Sequence, residues 1–122
     1  MRRNKSIFIG VEDPSLQYSL AMVFEREGYR VVDQTQSQFA DFQVFEEPID
    51  LLVLENSENW DDLWNQKLSR IRCQFAQKPI LILTNRLPSL TTFNCDEFGL
   101  CKIIQTPADP ALILENARGL LT

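Results

Sequence analysis

The sequence predicts a doubly wound α/β sandwich, in which one five-stranded parallel sheet is covered by helices on both faces. Apolar runs of strand length alternate along the chain with segments of helical periodicity. Several of the runs, such as residues 49–54 and 80–83, are almost continuously apolar, as expected of strands buried on both faces. The 122 residues, 44% of them hydrophobic, suffice for one core and are too few for two. Residues 1–122 are therefore predicted to form a single domain.

The first strand and the first helix are predicted within residues 5–28. Residues 5–11 form an apolar run, and Asp13 followed by Pro14 supplies an N-cap and a proline at the first helical position. Gly28 is placed to end this helix. The apolar side chains recur on one helix face. They are Leu16, Leu20, Val23 and Phe24.

The second and third strands are predicted at residues 29–33 and 49–54. Between them, residues 38–46 carry phenylalanines at a spacing of three, which favours a short helix. A longer helix follows the third strand and has the most regular apolar stripe of the chain. Trp64 is expected in the core. For Trp60 two roles are considered, helix packing and stacking on a ligand, because this residue lies where the loop meets the helix. The stripe consists of Trp60, Trp64, Leu68, Ile71 and Phe75.

The last two strands are predicted at residues 80–83 and 102–105. Between them, residues 85–101 lack a clear apolar period, so a helix there is expected to be short or irregular. Asp109, which precedes a proline, repeats the start signal of the first helix. The buried side of this last helix is predicted to contain Ile113, Ala117, Leu120 and Leu121.

Composition excludes several classes of function. The net charge of −5 argues against direct binding of nucleic acid, because phosphate contacts need clustered lysine and arginine. No apolar run approaches the length of a membrane span, and no long apolar stretch follows the basic residues at the start. We therefore expect a soluble, cytoplasmic protein that does not bind membranes.

The cysteine content predicts neither a zinc site nor a disulfide framework. Cys73, Cys95 and Cys101 are odd in number and lack paired metal-type spacing, and the chain has no histidine. Structural thiols are the favoured interpretation. Pairing of Cys95 with Cys101 under oxidation is the less favoured alternative.

Polar side chains follow four of the five predicted strands and form the candidate site. In this fold class, ligands bind at the carboxyl ends of the strands, near the point where the strand order reverses. For any single acid in the set, the simpler interpretation is a solvated strand end or, for Asp13, a helix cap. The set comprises Glu12, Asp13, Glu55, Asn56, Thr84, Asn85, Thr106 and Pro107.

These positions resemble the response-regulator receiver domain of the CheY type over nearly the whole chain. The resemblance is based on residues 7–14, 49–55, 80–84 and 106–107. It implies a flavodoxin-like fold in which acids after the first strand hold magnesium and an aspartate at the end of the third strand accepts a phosphoryl group. It also implies a threonine or serine after the fourth strand that contacts the phosphate, and a lysine before proline after the fifth.

The acidic positions depart from this family pattern. By the resemblance, the acid pair is represented by Val11 and Glu12, with Asp13 beside them, and the phosphoacceptor is represented by Glu55. Thr106 occupies the position of the lysine. Only part of the acidic pocket therefore remains.

The switch positions are kept in part. Thr84 matches the phosphate-contacting threonine, and Pro107 matches the proline of the lysine–proline pair. Ile103 occupies the position of the family's aromatic switch residue. The usual coupling between a threonine and an aromatic rotamer is therefore missing, which favours a locked conformation over a switch.

Each departure weakens phosphoryl transfer, which depends on positioning and on cancelling charge. Glutamate holds its carboxylate about 1.5 Å further out than aspartate, and a misplacement of that order costs about a hundredfold in rate. Val11 removes an oxygen ligand from a magnesium site. Thr106 removes an ammonium, and a unit charge at about 4 Å contributes roughly 4 kcal/mol gross at a dielectric near 20.

The resemblance therefore implies a pseudo-receiver that acts in signal transduction by protein–protein interaction, without aspartyl phosphorylation. On this interpretation the domain is not an enzyme, has no catalytic residue and needs no cofactor or metal. The expected partner is a signalling protein or an attached output domain. A second copy of the chain is also considered, through the face around Ile103 and residues 110–121.

Two alternatives remain open. Glu12, Asp13 and Glu55 could still bind a divalent cation and accept a phosphoryl group, although the chain has no glycine-rich phosphate loop. The chain could also be the N-terminal regulatory domain of a transcription regulator, with an output domain after Thr122.

Overall fold

The computed structural model describes residues 5–33, 49–56, 60, 62–74, 78–87 and 100–121. Within these ranges the chain forms five strands and three helices. The strands are β1 (Ser6–Gly10), β2 (Arg30–Asp33), β3 (Leu51–Asn56), β4 (Ile80–Thr84) and β5 (Cys101–Gln105). The helices are α1 (Pro14–Arg26), α2 (Asp62–Gln74) and α3 (Pro110–Leu121).

The strands form one parallel sheet in the order β2-β1-β3-β4-β5. The order runs outward from the β1–β3 pair in both directions, as in a doubly wound sheet. The predicted fold class is therefore confirmed. Strands β1, β3 and β4 are buried almost throughout, as their apolar runs indicate, whereas the edge strand β5 is partly exposed.

Alternation along the central strands divides the apolar side chains between two cores, one on each face of the sheet. Ile7 and Ile9 belong to the first core, and Phe8 between them belongs to the second. Phe24 of α1 and Ile113 of α3 complete the first core. The second core is completed by Trp60 and by three side chains of α2. These are Trp64, Leu68 and Ile71.

The ends of α1 follow the sequence signals. Asp13 is the N-cap, its carboxylate accepts a hydrogen bond from the backbone N–H of Ser15 at 2.9 Å, and proline follows at the first helical position. Gly28 has a φ of 91°, a left-handed conformation that glycine adopts without a steric penalty. Helix α3 starts in the same way, since the Asp109 carboxylate accepts from the backbone N–H of Ala111 at 2.9 Å. Both predicted caps are confirmed.

Several predicted boundaries differ from the structure by one or two residues, and two of the differences affect the site. Strand β3 continues through Asn56, so Glu55 lies inside the strand and not after its end. Helix α2 begins at Asp62, which leaves Trp60 before the helix. The helix predicted at residues 38–46 lies outside the described residues, as does most of the region 85–101.

At the amino-terminal edge of the sheet, a buried carboxylate joins β1 to the start of β3. Asp50 Oδ2 accepts a hydrogen bond from the backbone N–H of Ser6 at 2.8 Å, and the two residues are 8% and 1% exposed. Lys78 Nζ lies 3.9 Å from Asp50 Oδ1. Arg72 Nη1 in turn donates to the Lys78 carbonyl at 2.7 Å, and partial burial lowers the pKa of Arg72 from its ordinary value. This edge is therefore tied together by side-chain contacts.

Helices α1 and α3 lie on the same face of the sheet and are joined by an ion pair. Arg118 Nη2 of α3 contacts Glu27 Oε2 at the C-cap of α1. Both side chains are partly exposed, so the pair adds little free energy and mainly marks where the helices meet. Among the described residues, no helix is long and apolar enough to cross a membrane.

The cysteine prediction was wrong at one position. Cys101, the first residue of β5, is disulfide-bonded, and its partner lies outside the described residues. Cys73 is a free, exposed thiol. An odd number of cysteines argued against a disulfide framework but does not prevent two of them from pairing once the fold brings them together.

Candidate functional site

A cavity of about 310 Å³ opens at the carboxyl ends of the strands. Its lining combines two carboxylates with an amide, a hydroxyl and apolar groups, and several of the predicted site residues meet there. The described residues that line it are Asp13, Leu16, Glu55, Asn85, Thr106, Pro107 and Ala108.

Glu55 is half-buried on β3 and is tied to the loop after β1. Its Oε1 accepts a hydrogen bond from the backbone N–H of Glu12 at 2.9 Å. A hydrogen bond of this kind limits the movement of the carboxylate. The carboxylate of Glu55 therefore lines the cavity and is hydrogen-bonded to the protein's own backbone.

The two positions before Asp13 have separate environments. Val11 is fully buried and belongs to the first core, together with Ile7 and Ile9. Glu12 is exposed, and neither Val11 nor Glu12 lines the cavity. The structure therefore brings Asp13, but not Val11 or Glu12, to the cavity that Glu55 lines.

Thr84 ends β4 and is fully buried. Its hydroxyl donates to the carbonyl oxygen of Arg86 at 2.9 Å and accepts from the Arg86 backbone N–H at 3.1 Å. The Thr84 carbonyl accepts from the backbone N–H of Thr106 at 2.7 Å, which joins the ends of β4 and β5. The hydroxyl is thus used within its own turn, and Thr84 does not line the cavity.

The loop after β5 supplies the far wall of the cavity. Thr106 is half-buried there, and the peptide bond between Thr106 and Pro107 is cis. Ile103 does not line the cavity, because it packs half-buried against the second core. The predicted site residues therefore divide into two groups. The cavity group is formed by Asp13, Glu55, Asn85, Thr106 and Pro107, and the group elsewhere is formed by Val11, Glu12, Asn56, Thr84 and Ile103.

The cavity is acidic. No lysine or arginine is among the described residues that line it, while Asp13 and Glu55 contribute carboxylates. One oxygen of each already accepts a backbone N–H, from Ser15 and Glu12 respectively. In the described part of the chain, no three acidic, histidine or cysteine side chains converge closely enough to hold a metal ion.

The described residues at this edge do not fit Mg²⁺, the ion that the receiver resemblance implies. Mg²⁺ needs near-ideal octahedral oxygen geometry. Val11 has no side-chain oxygen and is packed in the core, and Glu55 Oε1 is already bonded to the Glu12 N–H.

Sequence reasoning missed the role of Trp60. Its indole Nε1 donates to the carbonyl oxygen of Arg86 at 2.7 Å, and its ring packs edge-on against Trp64 with the ring centroids 5.6 Å apart. The sequence signals were its place in the apolar stripe with Trp64 and its position between Glu55 and the following helix, and neither indicates a backbone carbonyl as its partner. Leu16 and Ala108, which line the cavity with apolar surface, were also not predicted as site residues.

The sheet order, the helices on both faces and the cavity at the strand ends define a receiver-like, flavodoxin-type fold. No protein-family model matches the sequence, and no curated protein matches it. Solved structures match closely in shape. The chemotaxis protein CheY4 of Vibrio cholerae aligns with a TM-score of 0.76 at 16% identity, covering 98% of this chain and 100% of that chain.

Two further solved structures show the same likeness. A CheY-like response regulator from Mesorhizobium loti aligns with a TM-score of 0.78 at 16% identity, covering 97% of this chain and 99% of its own. An orphan response regulator of H. pylori aligns with a TM-score of 0.79 at 13% identity, covering 100% of both chains. At this level of identity the likeness establishes the fold.

Proposed function

We propose that this chain is a receiver domain of a response regulator in two-component signalling, and that it works without aspartyl phosphorylation. It acts by binding a protein, either a signalling protein or an output domain, and it is not an enzyme. The observation that supports this proposal is the composition of the cavity, where Glu55 and Thr106 meet with no lysine among the described lining residues.

Glu55 is a poor phosphoacceptor for two reasons. Its carboxylate lies about one carbon–carbon bond, roughly 1.5 Å, further from the backbone than that of an aspartate, which displaces it from an in-line geometry. In addition, its Oε1 is held by the Glu12 N–H at 2.9 Å. That bond restricts rotation of the carboxylate, so its oxygens are not free to turn toward an in-line phosphoryl donor while the bond is kept.

Among the described residues of the cavity, the positive charges that would stabilise the transferred group are also lacking. Phosphoryl transfer needs cations beside the equatorial oxygens. Val11 lies in the core and offers no metal ligand, and Thr106 provides a neutral hydroxyl beside the two carboxylates of the cavity. An incoming phosphoryl dianion would therefore meet two carboxylates and no compensating cation among the described lining residues.

The test is incubation with acetyl phosphate and Mg²⁺, followed by intact-mass spectrometry. The native chain is expected to show no phosphate adduct. The matched control is the triple variant Val11→Asp, Glu55→Asp and Thr106→Lys, which restores the three missing groups and is expected to become phosphorylated. The variant Glu55→Asp alone is expected to remain unmodified, because it still lacks the cationic groups.

An adduct on Glu55 of the native chain would overturn the proposal. A triple variant that folds, as judged by circular dichroism, and yet accepts no phosphoryl group would show that these three positions do not account for the loss of activity.

A further inference from the structure

The carbonyl oxygen of Arg86 is the meeting point of two segments that follow strands β3 and β4. It accepts hydrogen bonds from the Thr84 hydroxyl at 2.9 Å and from the Trp60 indole Nε1 at 2.7 Å. A carbonyl oxygen has two lone pairs, so these donors fill its capacity. Both distances are in the normal range for strong hydrogen bonds.

The turn that bears this carbonyl is closed from within. The Thr84 hydroxyl has a single proton, and it donates that proton to the Arg86 carbonyl. The same hydroxyl accepts from the Arg86 N–H at 3.1 Å. Because Thr84 is fully buried, rotation of the hydroxyl away from the turn would break these bonds without replacement by water.

Trp60 connects this turn to the second core. Its ring is 7% exposed and packs edge-on against Trp64, which is 6% exposed, with an interplanar angle of 84°. Trp64 in turn packs in the second core with Leu68 and Ile71 of α2. The indole N–H therefore attaches the turn at Arg86 to a part of the molecule that is fixed by packing.

We propose that Trp60 is a clamp that holds the Thr84–Arg86 turn closed against the second core, so that the Trp60 indole N–H and the turn are released together in one opening. The clamp keeps the Thr84 hydroxyl engaged in its own turn. Its consequence for signalling rests on the proposed function, because a fixed Thr84 suits a domain that presents one binding surface without switching.

The clamp is tested by amide hydrogen exchange measured by NMR on the full chain. Trp60→Phe keeps an aromatic ring against Trp64 but removes the indole N–H. Exchange of the Arg86 amide is expected to become about tenfold faster, since one lost hydrogen bond changes an opening equilibrium by about that factor. Exchange of the Ile82 amide, in the middle of β4, is expected to change by less than about twofold.

The matched control is Trp64→Phe, which alters the same ring pair but leaves the indole N–H of Trp60 in place. The ratio of the Arg86 amide exchange rate to the Ile82 amide exchange rate is expected to stay within about twofold of its value in the native chain. An unchanged Arg86 rate in Trp60→Phe overturns the clamp. An equal acceleration at Arg86 and Ile82 also overturns it, because it shows general destabilisation.

A measurement on the native chain covers the case in which Trp60→Phe does not fold. One opening exposes both the Trp60 indole proton and the Arg86 amide, so their protection factors are expected to agree within about threefold. An indole proton that exchanges freely while Arg86 stays protected would contradict the clamp. No phosphate donor is present in these experiments, so their failure is distinguishable from phosphorylation of Glu55, which would overturn the proposed function instead.

Discussion

Replacement of Asp50 with alanine is expected to lower the free energy of unfolding by about 2–3 kcal/mol. The carboxylate is 8% exposed and accepts the backbone N–H of Ser6, which is 1% exposed. In Asp50→Ala this buried N–H loses that acceptor, at a cost of about 1–3 kcal/mol. The reciprocal bond from the Asp50 N–H to the Ser6 carbonyl, at 2.8 Å, involves only backbone and remains.

The ion pair between Lys78 and Asp50 contributes the smaller part of the expected loss in free energy of unfolding. Lys78 Nζ lies 3.9 Å from Asp50 Oδ1, and its side chain is 43% exposed, so the solvent-screened pair is worth less than about 1 kcal/mol. The combined loss corresponds to a decrease of about 10 °C in Tm for a domain of this size. Urea denaturation followed by circular dichroism, together with thermal melts, measures both quantities.

Two variants separate the hydrogen bond from the ion pair. Asp50→Asn retains an oxygen that accepts the Ser6 N–H, and its free energy of unfolding is expected to fall by about 1 kcal/mol. Lys78→Met removes only the cation, and its free energy of unfolding is expected to fall by less than about 1 kcal/mol. If Asp50→Asn is as unstable as Asp50→Ala, the loss of charge dominates, and the buried Ser6 N–H does not account for the destabilisation.

Two further predictions concern Gly28 and the cysteines. Gly28→Ala is expected to lower the free energy of unfolding, measured by urea denaturation, by about 1 kcal/mol. Because φ is 91° and no atom lies within 4 Å of the added Cβ, the loss comes from backbone strain and not from a steric clash. Gly28→Asn should cost less, and an unchanged midpoint for alanine would contradict the left-handed conformation. Iodoacetamide without reductant is expected to label Cys73 and spare Cys101 in peptide mass maps, whereas labelling of Cys101 before reduction would exclude its disulfide.

Much of the fold could be predicted because its signals are local. An apolar run such as residues 80–83 is recognisable without knowledge of its neighbours, and Asp13 caps α1 through a residue only two positions away. The meeting of Glu55 with Thr106 and Pro107 also followed, since the carboxyl ends of parallel strands lie at one edge of the sheet.

The remaining features depend on partners that leave no mark in the sequence. Trp60 donates to the backbone carbonyl of a residue 26 positions away, and every residue offers such a carbonyl. The continuation of β3 through Asn56 is set by its pairing with Thr84, a contact between two polar residues that no apolar pattern indicates. The engagement of Glu55 by the Glu12 N–H likewise depends on where the loop after β1 is placed.

The position of α3 beside α1 has a consequence for synthesis. Two helices from opposite ends of the described chain cover the first core. Helix α1 contributes Phe24 and helix α3 contributes Ile113. While residues 110–121 are still inside the ribosome, the side chains of β3 and β4 that α3 would cover remain open to water. The nascent polypeptide therefore lacks a complete first core until α3 has emerged, and this face of the sheet folds only after all five strands have been synthesised.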